Sequence, residues 1–420
     1  MPKIVLFCVA WSTLELSSTV GRDFASTAFE KFRTAAVHKN QQARKPAPLP
    51  SLAMEAALQS IAERIRLAAA SGTPLRFRGG GTKDFYGQSL HGELLDTTPL
   101  AGITSYEPSE LVVTVRAGTP LVELEAVLAE RGQCLPFEPP HFSAGATVGG
   151  MVAAGLSGPA RASVGSVRDY VLGMTLLNGK GELLTFGGTV MKNVAGYDVS
   201  RLMAGSWGTL GLIAEVSLKV LPVAPAEATL RFEMRQAEAL EKLNRWGGQP
   251  LPLNASCWVE DAGISTLYLR LRGAVAAVEA ACAGLGGERL DTAQVAPDWT
   301  LCRDLQLPWF LERGTGGRGA DLWRLSVPQT APVLDLPETP LVEWHGGQRW
   351  VRAARADAQR IRAAAAGVGG HATLFIRGDA GQADDDAIAR FDAPKPPLDR
   401  IQSELKRQFD PAGIFNRGRI

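Results

Sequence analysis

The chain has 420 residues, with 44 Lys+Arg against 43 Asp+Glu, 45 Gly, 26 Pro and five Cys. That length holds two or three domains with full-sized cores. A net charge of +1 gives no electrostatic reason to bind nucleic acid or an acidic bilayer, and 45% hydrophobic against 21% charged residues excludes wholesale disorder.

Residues 1–53 carry seven Lys/Arg against three acids and end in Arg44-Lys45-Pro46-Ala47-Pro48-Leu49-Pro50. Lys3 before the apolar Ile4 to Trp11 suggests a targeting peptide, but the run is short and Glu15 follows without a small-x-small cleavage site. The stretch is expected to be a leader without chemistry, either disordered or not translated, with Met54 near the working start. Leu58, Ile61, Ile65 and Ala69 then recur at helical spacing up to the stop signal Ser71-Gly72-Thr73-Pro74. Short strands are predicted at 75–78, 94–96 and 111–115, and a helix at 121–131. A glycine-dense region fills 136–165. Leu172 to Leu177, the turn Asn178-Gly179-Lys180-Gly181 and Leu183 to Phe186 predict a hairpin. Ile213 to Val220 alternates as a strand, and Leu221-Pro222-Val223-Ala224-Pro225 reads as a linker. Beyond it, strand 266–271, helix 274–283 and strand 288–290 are echoed by strand 341–344, helix 353–366 and strand 372–376. That repeat is the pattern of a ferredoxin-like antiparallel sheet. Leu398, Ile401, Leu405 and Phe409 mark a last amphipathic helix, and no apolar run is long enough to span a membrane.

Cys8, Cys134, Cys257, Cys282 and Cys302 are scattered, with no C-x-x-C pair and no zinc-ligand spacing to a histidine. No disulfide framework, metal site or cluster ligand set is expected, and a reducing cytosol fits.

Three glycine clusters fall between residues 78 and 213. Glycine is retained where the chain needs positive φ or where something must approach the backbone closely. Arg78-Gly79-Gly80-Gly81-Thr82-Lys83 presents successive bare N–H groups, a hydroxyl and two cations, which suits a pyrophosphate. It matches neither the P-loop nor the dinucleotide fingerprint, and a tight surface loop would also account for it. The second cluster runs from Gly145-Ala146-Thr147-Val148-Gly149-Gly150 to Ala154, Gly155, Ser157 and Gly158. It suits either a flat ligand lying against the chain or a small-residue helix packed on a sheet. The third is Gly205-Ser206-Trp207-Gly208-Thr209-Leu210-Gly211.

In order and content, these clusters resemble the flavin-binding domain of the vanillyl-alcohol oxidase / para-cresol methylhydroxylase superfamily. The likeness includes Val164 to Gly173, Leu176 to Glu182, Lys192 to Asp198 and Gly205 to Ile213, and covers about residues 54–225. The Lys192-to-Asp198 motif, Asp84-Phe85-Tyr86-Gly87 and the closing Asp410-to-Arg419 segment are most similar to the FAD-binding E subunits of bacterial glycolate oxidases. The resemblance implies an α+β chain with a two-subdomain PCMH-type FAD-binding domain at 54–225. A ferredoxin-like α+β cap would follow at 226–395, then a C-terminal helix and tail at 396–420. FAD would lie between the two subdomains, its pyrophosphate against Arg78, Gly79, Gly80, Gly81, Thr82 and Lys83. Gly145, Ala146, Thr147, Val148, Gly149 and Gly150 would meet the phosphates and ribityl chain. Ala154, Gly155, Ser157 and Gly158, with Gly165, Arg168 and Asp169, would approach the isoalloxazine and phosphate parts. Gly205, Gly208 and Ile213 would hold the adenosine end. The implied partners are a second FAD-linked glycolate oxidase subunit and an iron–sulfur subunit. Together they would oxidise glycolate to glyoxylate in the cytoplasm or, through the complex, at the inner membrane.

Two departures matter. Several relatives tether flavin through a histidine in the first glycine loop, where this chain has Thr82 and Lys83. Non-covalent FAD is therefore expected. The H-x-x-x-D-G-x-x-H motif of 2-hydroxy-acid-dehydrogenating relatives has no match, with His91 assigned to a surface loop, His345 followed by two glycines and His371 in an apolar strand. No catalytic residue is singled out, and an auxiliary or electron-relay role is expected. The alternatives are a self-sufficient FAD-dependent 2-hydroxy-acid dehydrogenase and a cofactor-free scaffold. Arg419 either faces a carboxylate or the flavin or frays with the C-terminus. Trp299, Trp309 and Trp323 are either a partner surface or core.

Overall fold

The computed structural model describes residues 52–89, 91–189, 198–261, 263–311, 320–378 and 388–419. Residues 1–51 of the leader, and Lys192 to Tyr197 of the motif named above, lie outside the described residues.

Helix α1 (Leu52–Ser71) lays Ile61, Ile65 and Ala68 against Leu75 of β1 (Leu75–Arg78) and Leu95 of β2 (Glu93–Asp96). The two strands pair in parallel, and Leu75 bridges in parallel to Phe415. The tail of the chain thus completes the layer that its first strand begins.

A second layer is a five-stranded antiparallel sheet built from β3 (Ile103–Glu107), β4 (Val112–Arg116), β5 (Val171–Leu177), β6 (Leu183–Gly187) and β7 (Leu212–Lys219), in the order β3-β4-β7-β5-β6. Helices α2 (Leu121–Ala129) and α3 (Val148–Ala154) bury Leu121, Leu124, Leu128, Met151 and Val152 against Val113, Val115, Val216 and Leu218 of the sheet. The predicted hairpin is β5–β6. Strand β3 was not predicted: it lies at the sheet edge, with Ile103 to Tyr106 all half-buried and no inside-outside alternation to read. Thr147 caps α3 by accepting from the Gly150 N–H, and Gly155 closes it at φ 66. The second glycine cluster is therefore a small-residue helix with its own start and stop signals.

The rest of the chain forms an eight-stranded antiparallel sheet. Its strands are β8 (Ala226–Glu233), β9 (Leu253–Asp261), β10 (Ile264–Gly273), β11 (Glu288–Leu290), β12 (Asp321–Ser326), β13 (Leu341–Glu343), β14 (Gln348–Ala353) and β15 (His371–Ile376). The order β11-β8-β10-β9-β13-β14-β12-β15 is two ferredoxin-like halves joined through β9 and β13. Helices α4 (Gln236–Gly247) and α5 (Val275–Leu285) cover one face of the first half, and α7 (Ala358–Gly367) covers that face of the second. Helix α6 (Thr292–Arg303) packs Val295 and Trp299 on the opposite face. The predicted echo needs one correction: β14, not segment 341–344, precedes the helix, which starts at Ala358 rather than Ala353. Val351 and Ala353 alternate into the core, but the arginines between and beside them obscure that period in the sequence.

Of the last amphipathic helix, α8 (Leu398–Phe409), the described face buries Phe409 and leaves Leu398 and Ile401 exposed. Trp299 and Trp323 are buried and Trp309 half-buried, so the core alternative holds for them. The second sheet meets the first unit through polar anchors. Glu138 Oε1 accepts from Arg270 at 2.6 Å and Arg272 at 3.2 Å, while Trp344 Nε1 donates to the Gly158 carbonyl at 3.0 Å. Ser163 Oγ lies 3.0 Å from His345 Nε2.

Candidate cofactor site

A groove enclosing about 780 Å³ of free space, counting its open mouth, runs between the α1–β1–β2 layer and the five-stranded sheet. Of the residues singled out in the sequence, Arg78 to Lys83, Thr147, Gly149, Gly150, Ala154, Gly208 and Ile213 line it. Ser157 and Gly158 line a second, smaller cavity. Gly145, Ala146, Val148, Gly155, Gly165, Arg168, Asp169 and Gly205 line neither.

The glycines divide by cause. A Cβ on Gly80 would sit 1.5 Å from the Gly145 carbonyl oxygen, and one on Gly155 would lie 2.8 Å from Gly205 Cα. A Cβ on Gly149 would lie 2.5 Å from that of Ala117. These three positions are bare because the clusters pack on one another and on the end of β4. Gly165 faces Asp169, which accepts from the Ser166 amide and hydroxyl in a capping box, and Arg168 is exposed.

The first loop is different. Among the described residues, the N–H groups of Gly79 to Lys83 donate to no protein acceptor. By contrast, the amides of Ala146, Val148, Gly149 and Gly150 are all used within the protein. Successive unpaired amides lining a groove form an anion-binding concavity.

Cations flank it. Arg78 folds back over Gly81 to meet Asp84 at 3.0 Å. Lys83 is 7% exposed, donates to Thr82 Oγ1 at 3.2 Å and lies 5.5 Å from the Phe142 ring centre. Burial lowers its pKa to about 8, with Asp304 acting in the opposite direction. A buried ammonium with so little compensation favours an anion beside it.

The tail supplies the groove's far wall, which sequence reasoning had left open. Arg419 is 4% exposed and does not fray. Its Nη2 donates to the Lys83 carbonyl at 2.9 Å, its Nη1 to those of Asp84 and Gln88, and it stacks over Trp207 at 5.2 Å. Asn416 accepts from the Phe77 amide and donates to the Trp207 carbonyl, tying the first and third clusters together. Lys406 adds bonds to Thr209, Asp410 and Phe415. The signal for this role was the closing Asp410-to-Arg419 motif, but only the fold shows it returning to the first loop.

The second cavity holds about 310 Å³ of free space counting its mouth and lies where Phe142 and Leu156 to Pro159 face the second sheet. Glu343 in its wall is fully buried and accepts from Trp350 Nε1, Gln348 Nε2 and Cys302 Sγ. Burial raises its pKa, and these three donors act against that rise.

An elongated ligand with an anionic middle and a flat ring fits the groove: free amides and cations stand at one part, and small residues beside Trp207 at another. Residues 56–199 match the family described as FAD binding domain. The chain is 45% identical to glycolate oxidase subunit GlcE of Escherichia coli K12, over 86% of this chain and 97% of that protein. It is 31% identical to glycolate oxidase subunit GlcD of Bacillus subtilis, over 30% of this chain and 27% of that one. A solved alkyldihydroxyacetonephosphate synthase shares the fold, with TM-score 0.59 and 14% identity over 85% of this chain and 75% of its own.

Proposed function

The chain belongs to the family of the glycolate oxidase subunit GlcE, with FAD as its cofactor, and we propose that it is one flavoprotein subunit of an assembly that oxidises glycolate to glyoxylate. The observation that carries this reading is the shared length: the likeness to GlcE spans both the groove and the second sheet rather than the FAD-binding segment alone. The unpaired amides of Gly79 to Lys83, with Lys83 and Arg78, take the pyrophosphate. Small residues Gly150 and Ala154 make room for the flat ring, and Arg419 holds the first loop in place. Residues 54–225 serve as the FAD-binding domain, 226–395 as its cap and 396–420 as a strap across the groove. With Thr82 and Lys83 in the first loop, FAD is held without a covalent bond. Bound FAD supplies a two-electron acceptor for a C–H bond beside a hydroxyl and can hand electrons on one at a time.

The partners are a second FAD-linked subunit, related in its FAD-binding segment, and an iron–sulfur subunit, with this chain relaying electrons or completing the assembly. Among the described residues no helix is long and apolar enough to cross a membrane. In this reading any contact with one goes through the partners. One observation favours the self-sufficient dehydrogenase as a second reading: the polar cavity between the two units, with Arg324 and Glu343 in its wall.

The test is complementation of the co-expressed subunits. Leaving this chain out should abolish glycolate-dependent dye reduction, and wild type but not Gly80→Ala should restore it. Full activity without the chain would sink the proposal.

A further inference from the structure

Asp304 stands at the C-terminal end of α6, where a carboxylate opposes the helix dipole, so it does not serve the helix that carries it. Its partners lie across the seam between the two units. Oδ1 accepts from the His141 amide at 2.7 Å, and Arg303 donates to Oδ1 at 3.3 Å and to Oδ2 at 2.7 Å. The residue that follows each end of the first of these bonds is in the left-handed region, Phe142 at φ 60 and Leu305 at φ 56. A bulky side chain keeps that conformation only where its surroundings hold it. The His141 ring is held as well, with Nε2 3.0 Å from Glu125 Oε2 of α2.

Phe142, fixed in this way, is what Lys83 leans on. The ammonium lies 5.5 Å from the Phe142 ring centre, and Phe85 meets the same ring edge-on at 5.2 Å. Among the described residues the one hydrogen bond of that ammonium goes to the neighbouring Thr82 hydroxyl, at 3.2 Å. A lysine stem has many rotamers, and one local bond does not fix the direction of its head. The face of the Phe142 ring supplies the missing restraint. The other charged groups of the first loop are committed elsewhere: Arg78 pairs with Asp84, and Arg419 donates to the carbonyls of Lys83, Asp84 and Gln88.

We propose that Asp304 is a positioning residue for the groove: by holding the His141 amide it seats Phe142, and Phe142 aims the Lys83 ammonium at the phosphates of the cofactor. The second unit thereby takes part in FAD binding although Asp304 does not line the groove. The inference rests on FAD as the groove's ligand, as proposed above. The charge of Asp304 also acts on Lys83, raising its pKa against the larger lowering by burial.

The test is a double-mutant cycle on the full chain, with FAD affinity read by fluorescence titration from pH 7 to 9.5. Asp304→Ala should weaken binding about tenfold at pH 7, like Lys83→Met, and should flatten the decline above about pH 8. Adding Asp304→Ala to Lys83→Met should cost nothing further, because both act through one ammonium. Phe142→Leu leaves the Asp304 bond in place and should behave as Asp304→Ala does, which keeps the test open if the latter does not fold. Asp304→Asn still offers the His141 amide an acceptor. At pH 7 it should stay within about threefold of wild type. Its decline should begin at lower pH, since the charge that raises the Lys83 pKa is gone. Losses that add to that of Lys83→Met, unchanged affinity in Asp304→Ala, or Asp304→Asn as weak as Asp304→Ala would overturn the inference and leave FAD as the ligand. A wild-type chain that takes up no FAD would sink both readings.

Discussion

The backbone of Gly80 lies against that of Gly145 so closely that a methyl group on Gly80 would fall 1.5 Å from the Gly145 carbonyl oxygen. The obstacle is backbone, not the end of a flexible side chain, so neither partner can step aside cheaply. Gly80→Ala should lower stability by more than about 3 kcal/mol and deplete bound flavin. Gly413 is the control. It has φ +60 but open space around it, so Gly413→Ala should cost only about 1–2 kcal/mol of backbone strain. Urea unfolding midpoints and the flavin-to-protein absorbance ratio check both.

Lys83 should make FAD affinity depend on pH. Burial lowers its pKa to about 8 in the free chain. A phosphate beside it would raise that value, so binding takes up a proton where the two forms differ. Affinity should be level below about pH 8 and weaken above it, by up to about tenfold per pH unit. Lys83→Met should bind about tenfold less tightly at pH 7 and lose the slope. Fluorescence titrations with FAD from pH 7 to 9.5 measure both; an unchanged slope in the variant would remove Lys83 from the site.

Glu138 holds the two units together through Arg270 and Arg272. Arg270 is 3% exposed, and removing its carboxylate strands a buried charge that Asn254 and the Trp299 ring only partly satisfy. Glu138→Gln should destabilise the chain by about 3 kcal/mol, read from denaturant unfolding. A loss below 0.5 kcal/mol, roughly that of an exposed pair, would show that the bridge does not matter.

His345 should contribute to acid sensitivity. Burial holds its pKa down to about 4, whereas an unfolded imidazole takes a proton near 6.5. Stability from this group is therefore complete above about pH 6.5 and is lost as pH falls towards 4, by up to roughly 3 kcal/mol. His345→Gln should flatten that part of the stability profile. Unfolding midpoints at pH 7, 5.5 and 4.5 test it, with a profile parallel to wild type as the opposing result.

Much of the fold was legible because its elements carry local signals: the spacing of Ile61 and Ile65, the turn after Leu177, the alternation of β7. What was hidden depends on distant partners. Strand β3 is a sheet edge with no alternation, and β14 is interrupted by arginines, of which Arg349 is buried and donates to the carbonyls of Ala331, Pro332 and Gly346. The first glycine loop also carried two readings, an anion-binding run of amides or a tight surface loop, and the structure leaves its amides without protein acceptors among the described residues. The second was legible as two alternatives; a capped small-residue helix forms, and Thr147, Gly149, Gly150 and Ala154 of it line the groove. Arg419 could not be placed from sequence, since its partners, the carbonyls of Lys83, Asp84 and Gln88, lie at the other end of the chain.

Heat denaturation of the flavin-loaded chain, followed by separation of precipitate and supernatant, is the most direct test of FAD held without a covalent bond by the Gly79–Lys83 groove. All the flavin should appear in the supernatant as FAD, in a one-to-one ratio with protein, and the Gly80→Ala chain should release almost none. Flavin that stays with the precipitate, or a wild-type chain that cannot be loaded with FAD, would contradict it.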